Sequence, residues 1–329
     1  MAPVGWIAYG ITGRTPQWAV QGFVRLFCFT GGYSNDFFSR VISVCHPPRP
    51  LQYRPDVLTE LSADERATAA SNLRERGFHV FSRQVPADVC DRLQTFALTQ
   101  VAQVRPGDGL AAGAGRHVYR PTNPLAVRYD FEQNDLINLP DVQNLMISPA
   151  FVTVAQDYLR AEPIADVVSM WWHTAFSSEP DSEAAQFYHF DLDRVKWIKY
   201  FIYLTDVDPD NGPHYFVAGS HRTGGIPSTL LDKGYARHFD EAIAPHYDRK
   251  HLIEFTGGRG TVIAEDTRGL HKGQHVMKGH RLVLQVQFSN SLYGPSYSRA
   301  QIRHPLSESI VQVLGGNPRI LSAFAPRAH

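Results

Sequence analysis

The chain has only three cysteines in 329 residues, Cys28, Cys45 and Cys90, widely spaced and confined to its first third. That scarcity excludes a disulfide framework and a cysteine-built zinc site, and makes a reducing cytoplasm the expected compartment. Surplus charge is missing as well. The 32 Lys and Arg residues balance 32 Asp and Glu, so neither nucleic acid nor an anionic membrane is expected as a partner. Long apolar runs are also absent. The nearest approach, Trp18 to Phe29, is broken by Gln21 and Arg25; it suits neither a membrane span nor a secretion signal and reads as a buried or amphipathic helix. There is no internal repeat and no low-complexity tract. What remains, 43% hydrophobic and 19% charged residues, is the balance of a chain that buries a large core. A small-molecule substrate and a monomer or homodimer are the expected state.

Punctuation divides the chain into an N-terminal extension of unknown role over residues 1–55, a single domain over 56–300, and a C-terminal tail over 301–329 packed on the core. The extension closes on His46-Pro47-Pro48-Arg49-Pro50, which breaks any helix and marks a linker or an extended wrap. Ser62 or Asp64 can cap a helix running to about Arg76, with Gly77 ending it. Phe78-His79-Val80-Phe81 reads as a strand, and Pro86 opens a second helix through Ala97. The Gly-rich stretch 105–116 reads as a loop, either closing over a ligand or merely connecting. Asp141 to Leu159 again has helical period.

After Pro163 the texture becomes β-branched and aromatic, with strands expected over 167–176, 197–205, 214–217, 252–255, 260–264 and 282–289. Helices followed by an all-β block define an α+β protein. The economical solution is a double-stranded β-helix (a cupin-like jelly roll) from about residue 164, flanked by N-terminal helices, because closing the sheets hides their edges.

A His-x-Asp pair in extended backbone puts both side chains on one face and supplies two of the three ligands of a facial triad. The pattern alone decides nothing, since it occurs three times: His189-Phe190-Asp191, His238-Phe239-Asp240 and His246-Tyr247-Asp248. The second and third lie in Asp232 to Lys250, a highly charged stretch without β alternation that reads as a surface loop or solvated helix. The first precedes the long strand Trp197 to Thr205 and the turn Asp208-Pro209-Asp210-Asn211-Gly212-Pro213, where a jelly-roll mouth would place it. A third ligand has to come from a distant strand. His271 follows the strand Gly260 to Ala264 and sits among glycines, with His275 and His280 as rivals.

These residues, in this order, resemble the phytanoyl-CoA dioxygenase family of Fe(II)/2-oxoglutarate oxygenases. The resemblance rests on His189-Phe190-Asp191, Leu204-Thr205-Asp206-Val207, Asp210-Asn211-Gly212-Pro213, Val217-Ala218-Gly219-Ser220-His221-Arg222, and Asp266 to Gly273 with Arg281. The opening Leu73 to Phe81 is also similar. It spans about Leu73 to Phe288 and leaves the first seventy residues without a counterpart. It implies that His189, Asp191 and His271 are the catalytic metal ligands, that Fe(II) is the metal, and that Arg281 grips the distal carboxylate of the cosubstrate 2-oxoglutarate.

The pattern of residues agrees. In Arg281 to Phe288 one face is Leu, Leu, Val and Phe, while the other carries Arg281, Val283, Gln285 and Gln287, a polar face suited to a ligand cavity. The planar fork of an arginine matches a carboxylate. An exposed barrel face ending in a surface arginine is the plain alternative. Lys199, alone in an apolar strand, either binds cosubstrate or substrate anion or snorkels at a barrel rim. His221 reads as a loop brace, and Trp171, Trp172 and His173 as pocket-lining candidates, with core packing the default for the tryptophans.

Three protein ligands on an octahedral iron leave two positions for a keto acid and one for O2. The expected reaction is oxidative decarboxylation to succinate and CO2 coupled to hydroxylation of a small metabolite or natural-product intermediate. Retention of Asp191 argues against halogenation, which needs that position for chloride. Two alternatives stay open: a cupin-like metalloprotein that does not use 2-oxoglutarate, and a non-catalytic jelly-roll binding module. Arg281 separates the first from the oxygenase reading.

Overall fold

The computed structural model describes residues 2–53, 58, 60–105, 115–182, 184–297 and 300–325. Most of the glycine-rich loop expected over 105–116 lies outside them.

Three helices come first, α1 (Ala2–Thr12), α2 (Gln17–Thr30) and α3 (Tyr33–Cys45). The stretch read as a buried or amphipathic helix is α2, which turns Ala19, Val20, Phe23 and Phe27 inward at helical spacing. The proline-rich segment after α3 is extended and tied to the body: Arg49 N–H donates to Gln156 Oε1 at 2.9 Å, and Gln156 Nε2 donates back to the Arg49 carbonyl at 3.1 Å.

Helix α4 (Ala63–Glu75) starts on a capping box, in which Ser62 accepts from the Glu65 N–H and the Glu65 carboxylate accepts from the Ser62 N–H. Such reciprocal capping is worth about 1 kcal/mol. Gly77 ends the helix at φ +88°, where a Cβ would meet His221 and Phe216 side-chain atoms within 2.8 Å. Strand β1 (Phe78–Val80) and helix α5 (Ala87–Thr99) follow. Three short strands then appear that have no counterpart in the sequence reading: β2 (Val101–Arg105), β3 (Arg116–Val118) and β4 (Arg128–Asp130).

After the short helix α6 (Gln133–Leu136), the helix expected over 141–159 is instead two helices, α7 (Pro140–Met146) and α8 (Pro149–Leu159). The break falls at Ser148-Pro149 because a proline disfavours helical backbone in the residue before it and has no N–H to donate.

The remaining strands are β5 (Ile164–Thr174), β6 (Trp197–Tyr203), β7 (His214–Val217), β8 (Leu252–Phe255), β9 (Val262–Glu265), β10 (His271–Gly273) and β11 (His280–Ser289). They form a jelly roll. One antiparallel sheet runs β1-β9-β6-β11-β5-β4-β2-β3, and a smaller one runs β10-β7-β8. In β11 the alternation divides as the sequence implied. Leu282, Leu284, Val286 and Phe288 join the core beneath α8, together with Ile198, Tyr200 and Ile202 of β6, and each such buried side chain contributes about 1.5–3 kcal/mol. The opposite face of the large sheet looks across at the small sheet, and the cavity between them holds the candidate site. The C-terminal segment, with helix Glu308–Gly316, sends Ile310, Val313, Ile320 and Leu321 into that same core.

Candidate active site

His189 and His271 face each other as a directly bonded antiparallel pair. His189 N–H donates to the His271 carbonyl at 3.0 Å and His271 N–H donates back at 2.8 Å. Two residues on, Asp191 N–H donates to the Thr267 carbonyl at 2.7 Å, so the His-x-Asp segment is an extra ribbon on the small sheet and both of its side chains turn into the cavity. The two imidazole rings lie 4.3 Å apart. The donor atoms of His189, Asp191 and His271 all fall within 4.8 Å of one another, and all three residues are buried.

The hydrogen bonds behind the rings set their tautomers. His189 Nδ1 lies 2.9 Å from the Phe187 carbonyl and His271 Nδ1 lies 2.9 Å from the Gly269 carbonyl. A carbonyl only accepts, so each Nδ1 carries the proton and each Nε2 offers its lone pair to the cavity. Those Nε2 atoms stand 3.8 and 3.4 Å from the Asp191 oxygens. Burial, and then the neighbouring His271, pushes the His189 imidazole well below its usual pKa, favouring the neutral form that can ligate a metal. Two imidazole Nε2 atoms and a carboxylate with open space before them form the donor set of a facial triad.

Asp191 is the electrostatic pivot. Burial would raise its carboxyl, but the Lys199 ammonium, followed by His271, holds it well below the usual carboxylate range. Lys199 Nζ lies 2.6 Å from Asp191 and 2.8 Å from Asp193. Lys199 is itself buried in β6, so it does not snorkel at a rim; its ammonium stays charged because those two carboxylates outweigh its desolvation. Tyr235 adds a 3.3 Å hydrogen bond to the other Asp191 oxygen.

Beyond the triad, a cavity of about 350 Å³ is walled by Trp171, His173, Phe201, Gln285 and Arg281, among others. Arg281 is 2% exposed. Its guanidinium donates to the Gly212 carbonyl in the turn before β7 and contacts His173 Nδ1 at 2.8 Å, while its Nε has no hydrogen-bond partner among the described residues. No carboxylate pairs with it there either, and burial lowers its pKa. A buried cation without a counter-charge is costly, and a carboxylate-bearing ligand would remove that cost. Deeper in the cavity His214 Nε2 and Glu265 share a 2.8 Å contact; burial pushes the Glu265 carboxyl up to about 8, so it is protonated near neutrality.

The structure therefore brings together His189, Asp191, His271, Lys199 and Arg281. It sends their rivals elsewhere. His221 contacts the Arg74 carbonyl at 3.2 Å, bracing the end of α4 as expected. His275 and His280 are outside the donor cluster. The second His-x-Asp pair corrects the sequence reading in part. His238 is buried and exchanges backbone hydrogen bonds with Tyr188, and Asp240 pairs with Lys272, so His238 anchors the segment beside the site, while Phe239, Asp240 and most of residues 232–250 are exposed, as the sequence implied. Trp171 and His173 line the cavity, whereas Trp172, one residue out of phase, packs in the core. Sequence reasoning missed Asp193, which continues the period-two spacing of His189 and Asp191, and Tyr235, His214, Glu265, Arg105 and Arg128, which belong to no spaced motif.

Among solved structures, the chain is similar to EctD from S. alaskensis in its apoform (19% identity, 78% of this chain and 92% of that one, TM-score 0.49). It is also similar to HygX from Streptomyces hygroscopicus with nickel and 2-oxoglutarate bound (14%, 72% and 88%, 0.49). A third is the epimerase SnoN in complex with Fe3+, alpha ketoglutarate and nogalamycin RO (15%, 75% and 95%, 0.48). No curated protein sequence matches. The family model for phytanoyl-CoA dioxygenase (PhyH) matches residues 73–277, more than half of the chain, and on that match the chain belongs to the phytanoyl-CoA dioxygenase family.

Proposed function

We propose that the protein is an Fe(II)- and 2-oxoglutarate-dependent dioxygenase that hydroxylates a small metabolite or natural-product intermediate and releases succinate and CO2. The observation that carries this reading is one arrangement: two imidazole Nε2 atoms and a carboxylate converge in a buried cavity beside a buried guanidinium that has no carboxylate partner among the described residues. In this reading His189, Asp191 and His271 hold the iron and Arg281 holds the distal carboxylate of 2-oxoglutarate. The iron, when bound with 2-oxoglutarate, supplies the site for O2 activation.

The chain's own residues do the rest. Phe187 and Gly269 carbonyls fix the two rings so that Nε2, and not Nδ1, faces the metal position. Lys199 holds Asp191 ionised, and its ammonium stands on the cavity wall where it can also meet a cosubstrate carboxylate. Trp171 and Phe201 make that wall apolar and exclude water from the reacting atoms. The cavity of about 350 Å³ is of a size that takes a small ligand.

An anaerobic titration tests this. Fe(II) with 2-oxoglutarate should produce a visible charge-transfer band that neither gives alone, and substrate-dependent succinate formation should follow on admission of O2. A protein that binds Fe(II) but yields no band on addition of 2-oxoglutarate would be a metalloprotein of another class, and one that binds neither would be a non-catalytic module.

A further inference from the structure

The cavity holds more cationic groups than the reaction above uses, and they lie in a line. Across the large sheet the register places Arg281 of β11 opposite His173 of β5, His173 opposite Arg128 of β4, and Arg128 opposite Arg105 of β2. All four side chains line the same cavity as the triad. With strands about 4.8 Å apart, the row from Arg281 to Arg105 spans roughly 14 Å, longer than one diacid clamp requires.

The outer half of the row is poorly neutralised. Like charges directly opposite on neighbouring strands are destabilising, yet Arg105 and Arg128 are such a pair. Among the described residues they share one carboxylate: Asp130 accepts from Arg105 Nε at 2.5 Å and from Arg128 Nε at 2.8 Å. The Arg128 guanidinium also sits over the Trp171 ring, 4.6 Å from its centroid, a cation–π contact that holds it at the cavity wall. Among the described residues around the cavity, Arg105, Arg128, Lys199 and Arg281 face Asp130, Asp191 and Asp193, four cations to three carboxylates. A divalent metal and a dianionic cosubstrate cancel each other, so one positive charge stays uncompensated, at the Arg105–Arg128 end.

We propose that Arg105 and Arg128 form a substrate-anion site, separate from the Arg281 clamp, and that the substrate is a small molecule carrying one carboxylate or phosphate group. This rests on the oxygenase reading above. In it, Arg281 receives the cosubstrate at one end of the row, and the substrate's anion docks at the other end. The oxidisable carbon then lies between that anion and the triad.

The test is calorimetric and does not use turnover. Hexanoate, hexyl phosphate and hexanol are titrated anaerobically into the protein holding Fe(II) and saturating 2-oxoglutarate, whose own binding is measured first. Hexanoate or hexyl phosphate should bind at least about tenfold more tightly than hexanol, and the better of the two identifies the anion. Arg128→Gln and Arg105→Gln should each weaken that probe about tenfold while changing 2-oxoglutarate affinity less than about twofold, and Arg281→Gln should weaken 2-oxoglutarate about a hundredfold while changing the probe less than about twofold. Arg105 is exposed, so its variant keeps the test open if Arg128→Gln does not fold. Equal binding of hexanol, no binding of either anion, or a loss of 2-oxoglutarate affinity in Arg128→Gln as large as in Arg281→Gln would each overturn the proposal. Failure of Fe(II) and 2-oxoglutarate to bind at the outset would instead defeat the oxygenase reading beneath it.

Discussion

Two regions of this molecule, around the buried arginines Arg268 and Arg281, treat that charge in opposite ways. In the bend between β9 and β10, Arg268 donates Nε to both Asp266 oxygens at 3.0 Å and a terminal nitrogen to Asp266 at 2.7 Å, and another to Asp36 of α3 at 2.9 Å. Tyr158 of α8 donates to the same Asp266 carboxylate. That guanidinium stays charged because its carboxylates outweigh its burial. At the start of β11, Arg281 is buried as deeply but meets a carbonyl and an imidazole. The first region is closed on itself and ties the N-terminal helices to the segment that delivers His271. The second is left open at the cost of a desolvated charge, which is what a binding site for an anion requires.

The comparison can be broken most forcefully at Asp266. Asp266→Asn leaves Arg268 with Asp36 alone, and breaking a buried pair from one side costs about 3–5 kcal/mol; the thermal midpoint should fall by several degrees in a melting experiment. An unchanged midpoint would mean that the bend is not the clasp described here. The same pair sets an acid limit. Burial would raise the Asp266 carboxyl, but Arg268 holds it at about 2, below its ordinary 3.8. Its folded-state pKa is depressed, so its stabilisation is complete above about pH 4 and is lost as pH falls towards 2. Denaturant melts between pH 5 and pH 2 should show that loss in the wild type and a shallower one in Asp266→Asn.

Arg281→Gln probes the open region. Here 2-oxoglutarate affinity should fall about a hundredfold, roughly 2.7 kcal/mol, while the melting temperature holds or rises because an uncompensated buried charge has gone. A large drop in melting temperature with unchanged 2-oxoglutarate binding would make Arg281 a structural residue like Arg268. The smallest effect is expected at Tyr235→Phe, which removes a 3.3 Å hydrogen bond from a half-exposed side chain to Asp191. Loss of one such bond is worth about 1 kcal/mol or less, so metal affinity measured by calorimetry should fall no more than about fivefold.

Regular patterns carried much of this into the sequence. The alternation of Arg281 to Phe288 foretold both faces of β11, and Ser62 or Asp64 with Gly77 marked both ends of α4. His189 could be preferred to His238 and His246 because it precedes a long apolar strand. What stayed illegible depends on contacts distant in sequence. Nothing local says that His238 pairs with Tyr188, because a bridge of that length has no periodicity. Arg105 and Arg128 sit in strands of five and three residues, too short to show alternation, and only the register with β5 aligns them with Arg281. The first helix pattern, Trp18 to Phe29, was readable as amphipathic, but its packing of Phe27 on Phe190, beside a ligand candidate, was not.

The central claim is that His189, Asp191 and His271 share one metal ion, and stoichiometric anaerobic binding of Fe(II) measures it directly. The wild type should take up one ion per chain. His189→Ala, Asp191→Ala and His271→Ala should each weaken uptake at least about a hundredfold, while His221→Ala and His238→Ala retain it. Retention of tight binding in all three ligand variants, or its loss in His221→Ala or His238→Ala alone, would contradict the account.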